Sequence, residues 1–199
     1  MPRPVARLLP FVLACAALTL AACGGVSGKG GPSTLPTAAQ PLSLTGGSTI
    51  LAIDPQTAGM LDDNAITIGA VPPATLQSNA LTFPITSGQL DALSLGGSLD
   101  HTGGVRFSSD VASVVVRDLH ADTRSRQVTG SAGGGRLPVF DLDQRTLSSS
   151  KPASGRLNAT GVVALLSPRA AHALNAALKV SVFTPKLIIG DVSIDASTG

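Results

Sequence analysis

The amino-acid sequence predicts a mainly β fold, an antiparallel sandwich or barrel-like domain with two short helices. Short runs of β-branched and aliphatic residues recur about every 8 to 12 residues, with Gly, Pro, Asp and Ser between them. Two proline-led segments interrupt this pattern with helical spacing of their apolar residues. About 150 residues follow the N-terminal segments, which is the usual length of one domain.

The first 22 residues have the features of an export signal. Arg3 and Arg7 give the N-terminus two positive charges without an acid, and an almost unbroken apolar segment runs from Leu8 to Ala22. A transmembrane helix needs about 20 apolar residues. This segment is shorter and contains Pro10. We therefore predict an export signal peptide over residues 1–22 and no permanent transmembrane anchor there.

Residues 20–23, Leu-Ala-Ala-Cys, resemble the lipobox of bacterial lipoproteins, in which an aliphatic and two small residues precede a cysteine. The resemblance implies cleavage before Cys23, a diacylglycerol on its thiol and a further acyl chain, such as palmitate, on its amine. Two or three chains, at about 0.8 kcal/mol per buried methylene, hold a protein on a membrane. The expected location is the extracytoplasmic face of the cell membrane. The alternative is an ordinary cleaved signal peptide with a chance cysteine.

Residues 23–47 are rich in Gly, Ser, Thr and Pro, carry one charge, Lys29, and lack hydrophobic periodicity. This composition predicts a flexible linker with an end-to-end distance of roughly 25 to 30 Å. Residues 48–199 are then a single β-rich extracytoplasmic domain. The predicted partner of the anchored protein is the membrane, through Cys23, and the sequence does not identify a protein or cell-wall partner.

Composition excludes several function classes. Removal of Arg3 and Arg7 reduces 14 basic residues to 12, which equals the 12 aspartates, so the mature chain has no net charge to attract nucleic acid. The sequence has no Trp and no Tyr, so it cannot build the aromatic platforms of single-strand binding. Cys15 lies in the signal peptide and Cys23 carries the lipid, which leaves the domain without a thiol for a disulfide or a metal site.

The two helices are predicted from their starts. Asp54 and Ser167 are N-cap residues, each followed by a proline at the first helical position, where no backbone N–H is needed. The two segments share a register in which Ala58 and Leu61 correspond to Ala171 and Leu174. In the second helix the predicted apolar stripe is Ala170, Leu174, Ala177 and Leu178.

The predicted strands cover residues 48–53, 65–71, 80–86, 103–109, 111–119, 136–142, 161–166, 178–183 and 186–194. A shared pattern, Gly-x-Leu-(Asp/Asn)-x-Thr-Gly, begins at Gly97 and at Gly155 and predicts two related hairpins. With the matching helices, it suggests an internal duplication. The glycine-rich segment Gly130–Gly135 predicts a hairpin loop, because it lacks the spacing and the Lys-Ser/Thr of a phosphate loop.

One polar cluster could carry chemistry. Asp118, His120 and Asp122 would face one side of a regular strand and could hold a divalent ion, joined by Asp100 and His101 if their hairpin is adjacent. The alternative is the solvated face of an antiparallel strand. The sequence has neither a Gly-x-Ser-x-Gly motif nor a glutamate. We therefore predict no enzyme, no resident metal and no cofactor, and we place His172 on the surface of the second helix.

Residues 81–143 resemble a recurring theme of uncharacterised actinobacterial exported proteins and, more distantly, the Htaa domain of envelope haem-uptake proteins. The resemblance is carried by "GGSLDHTGGVRFSS", by an aliphatic strand with a polar end, and by a glycine-rich turn into another strand. It implies an antiparallel β domain that can hold an apolar ligand. The haem-ligating tyrosine of the Htaa domain has no counterpart, since the chain has no tyrosine.

Two function classes follow. The first is a cell-envelope lipoprotein with a non-enzymatic structural or interaction role. The second is an extracytoplasmic carrier for an apolar ligand, a lipid or haem, which would require a continuous apolar cavity. A metal-assisted hydrolase built on Asp118, His120 and Asp122 is the third hypothesis, and it would require these groups to converge in a pocket.

Overall fold

A computed structural model describes residues 41–149 and 155–199. The signal peptide, Cys23 and most of the predicted linker lie outside the described residues. The helices are α1 (Pro55–Asp63) and α2 (Pro168–Leu178). The strands are β1 (Pro41–Ile53), β2 (Thr67–Val71), β3 (Thr75–Gln77), β4 (Ala80–Asp91), β5 (Gly97–His101), β6 (Gly104–Ser108), β7 (Ser113–Asp122), β8 (Gln127–Ala132), β9 (Gly135–Asp143), β10 (Ser148–Ser149), β11 (Arg156–Leu166) and β12 (Ile188–Thr198).

Eight antiparallel strands close into a barrel. Their order is β7-β5-β4-β1-β12-β11-β9-β8, and β8 pairs back onto β7 to complete the circle. Strands β6 and β2 extend the sheet from the first half of β7, while β3 and β10 add short pairings to β4 and β11. The predicted mainly β fold with two helices is confirmed, and it is the barrel alternative that forms.

Both helices begin where the sequence predicts. The carboxylate of Asp54 accepts a hydrogen bond from the backbone N–H of Thr57 at 2.9 Å. The hydroxyl of Ser167 accepts one from the N–H of Ala170 at 3.1 Å and donates to the Pro138 carbonyl at 2.6 Å. Because Ser167 is only 1% exposed, its side chain fastens the start of α2 to strand β9 as well as capping the helix.

The buried stripe of α2 differs from the predicted one by one residue. Ala177 is exposed, and Ala171 is buried in its place. The face that packs on the sheet is centred on Leu174 and includes Ala171 and Leu178 at spacings of three and four residues. Ala177 lies at the edge of that face.

The domain begins earlier than residue 48, because β1 starts at Pro41. Its first residues pair with the end of β4, from Pro41 opposite Asp91 to Leu44 opposite Gly88, and Leu44 is only 4% exposed. The Gly-Gly composition indicated a linker, but Gly46 and Gly47 pair with β12 directly after a bulge between Leu44 and Gly46, and Gly47 has φ +114°. A Cβ there would lie 2.3 Å from the Asp195 carbonyl oxygen, so glycine is required for this close approach.

Residues 178–183 are not a strand. Leu178 is the last residue of α2, and Lys179 ends the helix in a left-handed conformation with φ +61°. The loop that follows carries Phe183 into the core, where it packs edge-to-face on Phe107 with ring centres 6.0 Å apart. The apolar alternation of this segment reflects side chains that bury from a loop.

The core has two connected parts. One lines the interior of the barrel, and the other lies between the sheet and the helices, where Leu61, Leu166, Leu174, Leu178 and Ile189 are each at most 3% exposed. The second part covers the end of the barrel from which α1 and α2 leave strands β1 and β11. That end is therefore closed by packed side chains.

The hydroxyl of Ser167 provides a direct test of this closure. We expect Ser167→Ala to lower the free energy of unfolding by about 1 to 2 kcal/mol, because it removes a helix cap and leaves the Pro138 carbonyl without a buried donor. Urea denaturation measures the change. Ser113→Ala, at an exposed strand position, is the matched control and should stay within about 0.5 kcal/mol of the parent. Equal losses of unfolding free energy in Ser167→Ala and Ser113→Ala would contradict the role of the Ser167 hydroxyl in fastening α2.

Candidate ligand-binding cavity

The interior of the barrel contains an apolar cavity of about 80 Å³. Most strands of the barrel contribute to its wall, because alternate residues of each strand point inward. The lining residues are Thr49, Leu51, Phe83, Leu90, Leu95, Leu99, His101, Leu119, Ala121, Thr123, Val128, Phe140, Leu142, Gln144, Leu147, Leu157, Ala159, Val162, Ala164, Val192 and Ile194.

The two ends of the cavity are closed differently. At the helix end, the wall continues into the packed core beneath α1 and α2. At the opposite end lie the start of β1, the end of β4 and the end of β12, since Pro41 pairs with Asp91 and Leu44 with Thr198. We call this end the mouth. It is covered by the turn 92–96, the turn 123–126 and the segment that follows β9.

Leu95 is the side chain that fills the mouth. It is 8% exposed, lines the cavity and has φ +54°, a left-handed conformation that is uncommon for leucine. Asp91 holds this turn by accepting hydrogen bonds on one carboxylate oxygen from the Ser94 N–H at 2.8 Å and the Ser94 hydroxyl at 2.7 Å. These bonds lower the pKa of Asp91 below its usual value.

Thr123 joins the turns at the mouth. Its hydroxyl donates to the Leu95 carbonyl at 2.7 Å and accepts from the Gly97 N–H at 2.7 Å. Its own carbonyl accepts from the side-chain amide of Gln144 at 3.2 Å. One threonine therefore holds three chain segments across the opening.

In the deeper part of the cavity, His101 forms a hydrogen-bonded pair with Thr49. Its Nδ1 lies 3.2 Å from the Leu119 carbonyl oxygen and its Nε2 lies 2.7 Å from the Thr49 hydroxyl. A carbonyl only accepts, so Nδ1 carries the proton and Nε2 accepts from Thr49. Burial lowers the pKa of His101, which keeps the ring neutral. Both ring nitrogens are thus engaged inside the protein, and Phe83 packs against the ring edge-to-face.

His120 and Asp100, two of the sequence candidates, meet on the outer face of the barrel. His120 Nδ1 is 2.6 Å from one oxygen of Asp100, and the Ser87 hydroxyl donates to the other oxygen at 3.0 Å. Hydrogen bonding to His120 lowers the pKa of Asp100. The carboxylate lies between the serine and the histidine, so the imidazole cannot take a proton from Ser87 as it would in a nucleophilic triad.

Asp118 and Asp122 do not complete a metal site with His120. A bulge falls between Arg117 and His120, and Asp118 has φ +51°, so the regular alternation predicted for this strand stops there. The Asp122 carboxylate accepts from the N–H groups of Arg124 and Ser125 and caps its own turn. Within residues 41–149 and 155–199, no three His, Cys, Asp or Glu side chains are placed to hold a metal ion.

His172 is exposed on α2, in a shallow groove that also includes Arg169 and Leu137. Its position agrees with the surface location predicted for it. The residues that line the cavity were not identified from the sequence, because the inward residues of the closed barrel come from distant segments. None of the helices in the described part of the chain is long and apolar enough to span a membrane.

The fold is similar to that of the C-terminal domain of HtaA from Corynebacterium glutamicum, with a TM-score of 0.59 and 15% sequence identity over 79% of this chain and 99% of that domain. A weaker similarity, with a TM-score of 0.45 and 7% identity, links 80% of this chain to 96% of the haem-binding protein HtaB from the same organism. No protein-family profile and no curated protein matches the sequence. The likeness to the HtaA domain shows a shared fold.

Stability should fall with decreasing pH because of His101. Its folded pKa lies below the ordinary value of 6.5, so in acid the unfolded chain binds a proton that the folded chain excludes. The contribution is complete above about pH 6.5 and is lost as the pH falls toward the folded pKa. Neighbouring Asp100 raises this pKa and His120 lowers it, and both effects are smaller than that of burial.

Urea denaturation between about pH 7.5 and 5.5 tests this expectation. The loss of unfolding free energy should be smaller in His101→Gln than in the parent chain, because glutamine does not titrate. His172→Gln, which changes an exposed imidazole, is the control and should keep the parental slope. Identical slopes for the parent and His101→Gln would refute the role of the buried ring.

Proposed function

We propose that this protein is an envelope binding protein that holds an apolar ligand inside its barrel while a lipid on Cys23 anchors it to the membrane. The observation that carries the proposal is the cavity, whose wall is apolar except for Thr49, His101, Thr123 and Gln144. Each of these four side chains already has a hydrogen-bond partner within the protein. The cavity therefore favours hydrocarbon.

The cost of leaving the cavity empty also supports a ligand. Protein interiors pack as densely as organic crystals. At about 24 cal/mol per Å³, an unfilled space of this size costs roughly 2 kcal/mol of stability. A bound alkyl segment would recover this stability and add its own hydrophobic burial.

The size of the cavity limits what it can hold. Its 80 Å³ is well below the range of about 300 Å³ and upward that is typical of drug-sized sites. It is about half the size of a cavity of about 150 Å³ that takes up benzene. A narrow segment such as part of an alkyl chain fits this space, with the remainder of the ligand outside the mouth.

Haem does not fit the barrel interior. The cavity is too small for a macrocycle, the sequence has no tyrosine, and both nitrogens of the one imidazole on its wall are hydrogen-bonded. The similarity to the HtaA domain therefore supports the barrel as a scaffold without transferring a haem site to this interior. We propose a lipid-like ligand in its place.

A non-enzymatic role is part of the proposal. The order Ser87–Asp100–His120 cannot activate the serine, and the cavity wall presents no free acid or base among the described residues. Binding and release are the functions that such an interior supports.

The proposed anchor joins the domain on the side of the mouth. Residues 24–40 connect Cys23 to Pro41, where β1 begins beside the mouth.

A larger side chain inside the cavity should weaken ligand binding. The probe is N-dodecyl dansylamide, a neutral dye whose alkyl chain is narrow enough for the cavity and whose ring can stay outside the mouth, added to the full chain in its unlipidated Cys23→Ser form. Ile194 is partly exposed to the cavity, so Ile194→Phe should reduce dye binding by about tenfold or more. Ile188→Phe, at a position 49% exposed, adds the same ring outside the barrel and should bind like the parent. Failure of the parent to bind dye, and native mass spectrometry showing no bound mass, would refute the proposal.

The anchor is tested separately in the native host. We expect the parent chain in the membrane fraction and Cys23→Ser in the soluble fraction, because the serine hydroxyl cannot form the thioether. Mass spectrometry of the mature N-terminus should show the acyl chains on Cys23. A Cys23→Ser chain that stays on the membrane would contradict anchoring through this residue.

A further inference from the structure

The mouth of the barrel carries two cations without a carboxylate partner. Arg124 and Arg126 are exposed and lie in the turn 123–126, which Thr123 fixes across the opening. Arg124 lies against the turn of Leu95, since a Cβ on Gly96 would be 3.3 Å from Arg124 Cγ. Its charge is close enough to contribute to the lowered pKa of Asp91.

Four carboxylates around the mouth have other partners. Asp91 and Asp122 accept hydrogen bonds from the backbone of their own turns. Asp143 and Asp195 form ion pairs with Arg145 and Arg156. Within the described ranges, Arg124 and Arg126 therefore have neither a hydrogen bond nor an ion pair to an acid, although Arg126 also acts on Asp143 through its charge.

Of the segments that cover the mouth, the turn 92–96, which contains Leu95, is the easiest to displace. Leu95 occupies a left-handed conformation, which costs a non-glycine residue roughly 1 kcal/mol or more. One oxygen of Asp91 is buried without a hydrogen-bond partner, the one such side-chain atom in the part of the chain that the structure describes. Leu93, on the same turn, is 71% exposed. These features favour displacement of this turn over opening of the packed helix end.

We propose that the ligand is a single-chain anionic amphiphile whose alkyl chain enters the barrel by displacing Leu95, while Arg124 and Arg126 bind its acidic head group at the mouth. This inference rests on the proposed function and specifies its ligand class. A wall without free polar groups excludes the head group from the interior, so the head group must stay where the arginines are. Charged hydrogen bonds from guanidinium groups suit a carboxylate or a phosphate.

The head-group assignment is tested with two probes that differ only in their polar end. Dodecanoate and dodecan-1-ol are titrated by calorimetry, below their aggregation limits, into the Cys23→Ser chain and an Arg124→Gln/Arg126→Gln variant of it. We expect the double variant to weaken dodecanoate binding by about tenfold or more and to leave dodecan-1-ol unchanged. An Arg106→Gln/Arg169→Gln variant removes the same charge from exposed positions away from the mouth and is the matched control. Dodecyl phosphate in place of dodecanoate distinguishes the two acids.

The entrance is tested by the rate of binding. Leu95→Gly removes the side chain at the mouth and suits the φ of +54°, so this variant should fold and should take up dodecanoate several-fold faster in stopped-flow measurements. Thr123→Val, which removes the hydroxyl that holds the turn, should act in the same direction. Unchanged rates of dodecanoate uptake in both variants would overturn the proposal that the ligand enters by displacing Leu95.

The outcomes separate the two proposals. Equal effects of the two double variants on dodecanoate would overturn the head-group site and leave the binding function intact. Binding of dodecan-1-ol as tight as that of dodecanoate would do the same. Absence of binding by either probe, together with absence of dye binding, would overturn the proposed function itself.

Discussion

Closure of the sheet depends on one corner of strand β7. The first half of this strand pairs with β6 and its second half with β5, while β8 lies along its other side. The change of partner occurs at Asp118, whose N–H donates to the Gly103 carbonyl at 3.0 Å. Gly103 needs φ +84°, and a Cβ there would lie 2.5 Å from the Ala74 nitrogen. Without the bends at Gly103 and Asp118, β7 could not pair both with β5 in the barrel and with β6, which extends the sheet outside the barrel.

The interior follows from that closure. Once eight strands form a circle, alternate residues must point inward, and the volume left between them depends on which residues are small. Ala121, Ala159 and Ala164 leave space, while Leu90, Leu99 and Phe140 bound it. The polar pair of Thr49 and His101 is tolerated because each partner satisfies the other away from solvent. An apolar interior and a sealed polar contact are therefore compatible within one barrel.

Local chemistry made parts of this fold predictable. Asp54-Pro55 and Ser167-Pro168 identify both helix starts, since capping and proline at the first helical turn act within four residues. The cavity was not predictable in the same way, because His101, Thr49 and Leu119 meet only after distant strands pair. Regular alternation placed Asp118, His120 and Asp122 on one side of the strand, but the bulge at Asp118 breaks that alternation. Glycines at 46 and 47, typical of a linker by composition, belong to a strand whose partner lies at the other end of the sequence.

The long first strand also determines how the domain responds to mechanical load. β1 spans 13 residues, is antiparallel to both of its neighbours, and receives the chain from residue 40 at Pro41. Its inter-strand hydrogen bonds lie perpendicular to the strand. A pull along β1 from its N-terminus, opposed at the helix end of the barrel, therefore shears the bonds to β4 and β12 together and does not unzip them one at a time. Under such a load the domain resists tension at the end where the predicted membrane anchor joins it.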